Sequence, residues 1–187
     1  SYIRIAIPGA HPVVETFTGN FTISPSGYLS GTVTAMNFQV DSDVIDISGL
    51  SAPISLFNVN DEGNSAAAML AAVLAGPDTV TGTGSGQTLY GFAGNDTLTA
   101  GNWGQTLVGG TGNDTYLLGA YSDSIMVELA GEGSDSVVAA FSLALPDTLE
   151  NLTLSGAADL DGTGNGAANQ LTGNAGANLL DGMAGAD

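Results

Sequence analysis

Asp78, Asp96 and Asp114 stand eighteen residues apart, each the sixth residue of a nonapeptide: VLAGPDTVT (73–81), GFAGNDTLT (91–99) and GGTGNDTYL (109–117). Between them lie GTGSGQTLY (82–90) and AGNWGQTLV (100–108), with Gln87 and Gln105 in the sixth position. Acid and amide alternate, so the repeating unit is two nonapeptides. A coil that closes one turn per unit stacks the three carboxylates in a column on one edge, about 4.8 Å apart. At an effective dielectric of ~20, two carboxylates ~5 Å apart repel by roughly 3 kcal/mol. That is a large fraction of a total stability of about 5–15 kcal/mol. The chain has 1 Lys or Arg against 19 Asp plus Glu, a net charge of −18, so no basic side chain is available to answer the repulsion. A cation must do it. Oxygen donors alone, from carboxylates and from carbonyls freed by glycine bends, select a hard ion of high coordination number, which is calcium.

The elements that must carry this column follow from the same units. Their eighth positions are Val80, Leu89, Leu98, Leu107 and Tyr116, one apolar residue per nine, flanked mostly by Thr. That pattern predicts three-residue strands with the middle residue inward, separated by glycine-rich bends. Two nonapeptides make strand, bend, strand, bend, and successive turns stack into two parallel sheets. The predicted fold class is all-β: a parallel β-roll or β-solenoid of stacked nonapeptide repeats, with an N-terminal β-rich cap and one short helix. The Gln edge carries no charge and closes by amide ladders without metal.

The pattern continues with damage. LGAYSDSIM (118–126) keeps Asp123 and Ile125 in place, and Val127, Glu128 and Leu129 read as an insertion. AGEGSDSVV (130–138) then restores Gly131, Gly133, Asp135 and Val137, so Asp135 extends the acid column. Residues 139–163 lose the register, although Leu143, Leu145, Leu149, Leu152 and Leu154 still read as strands interrupted at Pro146. GNGAANQLT, GNAGANLLD and GMAGAD (164–187) recover it, with Asn169, Asn178 and Asp187 in sixth position. Asn brings a carbonyl oxygen without charge, so these bends are expected to bind calcium weakly or to stack as amide ladders.

GGTGNDTYL at 109–117 resembles the GG-x-G-x-D-U nonapeptide of the RTX, or hemolysin-type, calcium-binding repeats, and GFAGNDTLT departs from it at Phe92. The resemblance implies a β-roll that takes calcium as its cofactor between stacked bends. In that family's pattern, paired sixth-position aspartates of one turn and the next hold each ion, with carbonyls of the first four bend residues. Carried over, this implies one site between the bends of Asp78 and Asp96 and a second between those of Asp96 and Asp114, with Asp135 extending the column. The implied backbone partners are Gly76, Gly91, Ala93, Gly94, Gly109, Gly110, Thr111, Gly112, Gly131 and Gly133. The bends at Gln87 and Gln105 depart from the pattern and are expected to hold none. The resemblance further implies bacterial type I secretion and folding outside the cell.

Composition bounds the function. Charged residues are 11% of the 187 and apolar residues 43%, so the acidity comes from missing bases and not from surplus acids. With Arg4 the sole basic side chain, nucleic acid and anionic membrane surfaces are repelled. No apolar run approaches the ~18 residues of a membrane helix. No cysteine is present, which excludes disulfide and thiol chemistry. The chain begins without Met and stops at Asp187 in the middle of a pattern, and it reads as an internal piece of something longer. His11 has no second ligand beside it, and no metalloprotease motif, nucleophile elbow or phosphate loop occurs. Asp41 with Asp43 and Asp159 with Asp161 read as solvated turn residues, so no enzyme is expected. Phe92 and Trp103, both in bends, read either as exposed contact residues or as wedges closing the bend core.

Residues 1–63 lack nonapeptides and alternate in β fashion, for example at Ile3, Ile5 and Ile7 and from Val33 to Val40. Asn64 or Ser65 offers an N-cap to AAAMLAAVLA, which predicts a buried helix at about 65–74, ended by Gly76. The expected organisation is a capping region over 1–75, a calcium-binding roll over 76–138 and a degenerate solenoid with a second repeat block over 139–187. A free-standing N-terminal domain with its own ligand is the rival to the cap. The expected function is an extracellular or cell-surface calcium-binding structural or adhesive module that self-associates into a surface layer or filament. The alternative is the export and folding module of a secreted RTX enzyme or toxin. Ice binding needs a regular Thr and Asn array, which Ala75, Ala93 and Pro77 break.

Overall fold

The computed structural model describes residues 2–6, 14–23, 29–40, 43–53, 75–83, 85–101, 103–119 and 123–187. The helix expected at 65–74 and His11 lie outside the described residues. Each nonapeptide from residue 79 onward contributes a short strand. Along one face run β5 (Thr79–Gly82), β7 (Thr97–Ala100), β9 (Thr115–Leu118), β11 (Ser136–Ala139), β13 (Asn151–Leu154) and β15 (Gln170–Thr172), all parallel. The alternate units give β6 (Thr88–Ala93), β8 (Thr106–Thr111) and β10 (Ile125–Val127) in one parallel sheet. A third parallel sheet holds β12 (Leu143–Ala144), β14 (Gly162–Thr163) and β16 (Leu180–Asp181). The expected all-β parallel solenoid is the fold found.

The core is the eighth-position column. Val80, Leu98, Tyr116, Val137, Leu152 and Leu171 are directly paired along the long sheet, and Leu89 and Leu107 along the opposing one. There the expected Ile125 is displaced: the ninth-position Met126 pairs with Leu107 and packs on the core, and Ile125 is 60% exposed. The first four of the long-sheet series, with Leu89 and Leu107, are at most 1% exposed, so each of these strands turns its central apolar residue inward. Strands β9, β11 and β13 bury a second one two residues on, Leu118, Ala139 and Leu154. Burying each large apolar side chain contributes about 1.5–3 kcal/mol. Thr on either side faces outward or lies at the margin and adds β-propensity.

The spacing between paired positions shows how the damaged stretch is absorbed. Asp114 and Asp135 are 21 residues apart and Asp135 and Glu150 only 15. The three residues gained in one turn are dropped in the next, and the long sheet passes through unbroken. The opposing face does not: among the described residues β10 pairs only with β8, and the next sheet begins at β12.

Upstream, β1 (Tyr2–Ala6), β2 (Val14–Ile23), β3 (Leu29–Val40) and β4 (Asp43–Pro53) form an antiparallel meander. Strand β4 pairs antiparallel with β5, from Ile45 opposite Gly82 to Ser48 opposite Thr79. The meander and the roll therefore share one ten-stranded sheet, and the first parallel strand has no free edge on that side.

Candidate metal column

The two edges of the roll bend differently. On the aspartate edge the second bend residue has positive φ: Phe92 at 73°, Gly110 at 98° and Gly131 at 86°. So does the fourth in two bends, Gly94 at 139° and Gly112 at 126°. On the glutamine edge the positive φ moves to the fifth residue, Gly86 at 69° and Gly104 at 66°. The fourth-position glycines stack through the aspartate edge. The carbonyl oxygen of Gly76 lies where a Cβ on Gly94 would sit, that of Gly94 blocks Gly112, and that of Gly112 blocks Gly133. A side chain there would separate the turns, which is why glycine recurs at that position.

This stacking aligns the aspartates. The main-chain N–H of Asp78 donates to Asp96 Oδ1 at 2.8 Å, and that of Asp96 to Asp114 Oδ1 at 2.7 Å. Asp114 N–H donates to Asp135 Oδ1, and Asp135 N–H to Glu150 Oε2, each at 2.8 Å. The carbonyls of the same residues accept from Thr97, Thr115, Ser136 and Asn151 of the following turn. Asp96, Asp114 and Asp135 are thus fixed at backbone and side chain together, and Asp78 through its backbone. In Asp96 and Asp114 only Oδ1 is used, however. The Oδ2 atoms of Asp78, Asp96 and Asp114 are buried and have no hydrogen-bond partner.

Burial is the first cause of the resulting electrostatics. It pushes the Asp78 carboxyl up to about 7, with the charge of Asp96 adding to the effect. Burial pushes Asp114 up to about 6 against the lowering hydrogen bond from the Asp96 N–H, while the charges of Asp96, Asp135 and Glu132 raise it further. Asp96 and Asp135 move upward for the same first reason, each opposed by an N–H bond from the preceding aspartate. A buried carboxylate oxygen without a donor is costly, and it is relieved either by a proton or by a cation. The surroundings favour the cation. Asp96 Oδ2 and the Gly109 carbonyl oxygen each lie 2.6 Å from where a Cβ on Gly91 would stand, so oxygens from two turns converge where glycine leaves space. An all-oxygen donor set of this kind fits calcium.

The four aspartates expected at the site are brought together in this one ladder. Gly91 and Gly109 lie against the carboxylates, Gly76, Gly94, Gly112 and Gly133 form the carbonyl stack, and Ala93 opposite Thr111 and Phe92 opposite Gly110 continue the β6–β8 register. Gly131 stands apart, with open space where its Cβ would point. Asn95 and Asn113 form a ladder of their own at the rim: Asn113 N–H donates to Asn95 Oδ1 at 2.8 Å, and Ser134 N–H to Asn113 Oδ1 at 2.9 Å.

Two acids of the column do not follow from the repeat pattern. Glu150 takes the place of a fifth carboxylate beneath Asp135. Glu128, which the period places in an insertion, is 7% exposed and reaches the column from the side. Its Oε1 accepts from the Tyr116 hydroxyl, which itself accepts from Gly109 N–H at 2.9 Å. Burial again leads in raising Glu128 to about 7, against the lowering bond from Tyr116. Tyr116 is the one polar residue among the five eighth positions of 73–117, and that is the signal the sequence offers.

The other bends are closed by amides. Gln105 is fully buried, and its Nε2 donates to Gln87 Oε1 at 3.2 Å. In the second block, Asn165 Nδ2 donates to the carbonyls of Pro146 at 2.6 Å and Leu149 at 2.7 Å. Asn174 Nδ2 likewise bridges Ser155 and Ala158 at 3.1 and 2.9 Å. These amides supply N–H donors to bend carbonyls, the role a cation plays on an acidic edge. Asp187 rejoins the acidic style, with Oδ1 accepting from Asn169 N–H at 2.8 Å.

Fold and site together define a parallel β-solenoid with a carboxylate column along one edge. Residues 74–102, 105–126 and 163–187 match the family model of the RTX calcium-binding nonapeptide repeat, in 4 copies. These segments belong to that family, as their nonapeptides implied, and its repeats bind calcium. No curated protein and no solved structure matches the chain. The match breaks off at 126 and resumes at 163, so Glu128, Asp135 and Glu150 lie between the matched segments.

Proposed function

We propose that this chain is an extracellular calcium-binding structural or adhesive module whose roll closes and stiffens when calcium enters the aspartate column. The observation that carries the reading is the set of buried, unpartnered Oδ2 atoms on Asp78, Asp96 and Asp114, stacked in one ladder. Without a cation these oxygens and the net charge of −18 oppose closure. With calcium the binding free energy becomes folding free energy. Extracellular calcium sites have dissociation constants of roughly 0.1–1 mM, so such a chain stays loose in a calcium-poor cytosol and hardens after export. The RTX repeats support type I secretion from a bacterium as that route.

On this reading the carboxylates hold ions and perform no chemistry on a substrate, and the acidic surface turns away nucleic acid and anionic membranes. Copies of the stiffened module associate into a surface layer or filament. A calcium titration followed by far-UV circular dichroism, with magnesium as control and light scattering at each end, tests the proposal. A calcium-specific gain of β structure with growth of particle size is expected. A spectrum identical in chelator and in calcium would remove the folding role, and a folded but monodisperse product would remove the assembly role.

A further inference from the structure

The carboxylate oxygens of Asp114, Glu128 and Asp135 lie within 4.8 Å of one another, and all three residues are buried. No lysine exists in the chain, and its one basic side chain, Arg4, belongs to β1 of the meander and not to the roll. Asp114 is 1% and Glu128 7% exposed, and each has one oxygen, Oδ2 and Oε2, with no hydrogen-bond partner. The space of a Cβ on Gly109 is taken by Glu128 Oε1, Asp114 Oδ2 and the Tyr116 hydroxyl, so these oxygens converge on one glycine.

Glu128 gets there by two departures from the repeat. The surplus residues after Met126 let the chain fold an acid back under the bend. Tyr116, in place of Leu or Val at the eighth position, crosses the core and anchors that acid through its hydroxyl, which Gly109 N–H holds from the other side. Neither Glu128 nor Asp135 lies within the segments that match the repeat family.

We propose that Asp114, Glu128 and Asp135 form a three-carboxylate calcium site, distinct in ligand set from the paired-aspartate sites above it, and that it is the tightest site of the column. The proposal rests on the calcium reading of that column. Ligand charge count and rigidity set the affinity of oxygen sites for calcium. Here three carboxylates meet where the other bends offer two, and Tyr116, a positioning residue, holds the third in place before any ion arrives.

The test is a calorimetric calcium titration of the whole chain and of Glu128→Gln, with thermal melts of both in chelator and in saturating calcium. The Gln side chain keeps the shape and the acceptor for Tyr116 but removes one charge. The tightest class of sites is expected to weaken at least about tenfold while the weaker class persists. The melt in chelator is expected to hold or rise, since one of three like charges is gone, while the gain on adding calcium shrinks. Equal destabilisation with and without calcium would assign Glu128 to packing alone and overturn the proposal, as would an unchanged titration. If Glu128→Gln does not fold, Asp135→Asn removes a second carboxylate and leaves the Tyr116–Glu128 pair: loss of the tightest class supports the site, and its retention overturns it. Absence of calcium binding by the unaltered chain would instead sink the column reading as a whole.

Discussion

The Asp96 main-chain N–H donates to Asp114 Oδ1 at 2.7 Å, while its own Oδ1 accepts from Asp78 N–H at 2.8 Å, so Asp96 links three successive turns. Replacing it removes a carboxylate from two paired sites at once and leaves Asp78 N–H without its acceptor. Asp96→Ala is expected to raise the calcium midpoint of folding more than Asp78→Ala, by about tenfold or more over the unaltered chain. Gln87→Ala, on the uncharged edge, is expected to leave the midpoint within about twofold. Calcium titrations by circular dichroism compare the three. Equal shifts at Asp96 and Gln87 would contradict a one-sided column.

Acidity provides a second lever. Asp78 titrates at about 7 and Asp114 at about 6 in the calcium-free fold, both well above the ordinary 3.8. Between those limits the folded chain binds more protons than the unfolded chain, so stability without calcium rises as pH falls. The gain begins below about pH 7 and levels off near pH 4. Calcium competes with the same protons, so its midpoint concentration is expected to climb over this interval. Denaturant melts in chelator at pH 8 and pH 5 check the first sign; lower stability at pH 5 would contradict it.

Glycine positions divide sharply. Gly112 has φ of 126° and the Gly94 carbonyl pressed into its Cβ space, whereas Gly166 has nothing within 4 Å and no left-handed backbone. Gly112→Ala is expected to cost about 3 kcal/mol or more, through left-handed strain and the parting of two turns. Gly166→Ala is expected to be neutral or to stabilise by about 0.4–1 kcal/mol, because the unfolded chain loses freedom. Thermal melts at fixed calcium concentration separate the two.

The second block is expected to behave as a metal-independent brace. Asn165→Ala strips donors from the Pro146 and Leu149 carbonyls, with an expected cost of about 1–3 kcal/mol. That cost should be the same in chelator and in saturating calcium. A cost that vanishes on adding calcium would show an ion taking over those carbonyls.

The strictly periodic part of the roll is legible in the amino-acid sequence. One apolar residue at every eighth position marks the strands from Val80 to Tyr116, and sixth-position alternation separates the Asp edge from the Gln edge. What the sequence hides lies at the break in period. Once Val127–Leu129 are counted as surplus, Glu128 drops out of the repeat, although burial and Tyr116 draw it into the column. Glu150 is hidden because the next turn is three residues short, so no fixed spacing points to it. A period identifies residues only while each turn has the same length; beyond that, packing decides which side chain fills a position. Phe92 shows the converse, a residue that departs from the glycine pattern yet keeps the glycine φ of 73° and the β6–β8 register.

The most direct measurement is a crystal structure of the chain grown in calcium, with an anomalous difference map collected at long wavelength. Peaks are expected between Asp78 and Asp96, between Asp96 and Asp114, and among Asp114, Glu128 and Asp135, with none between Gln87 and Gln105. Peaks on the glutamine edge, or an aspartate column that holds no ion at saturating calcium, would contradict the central claim.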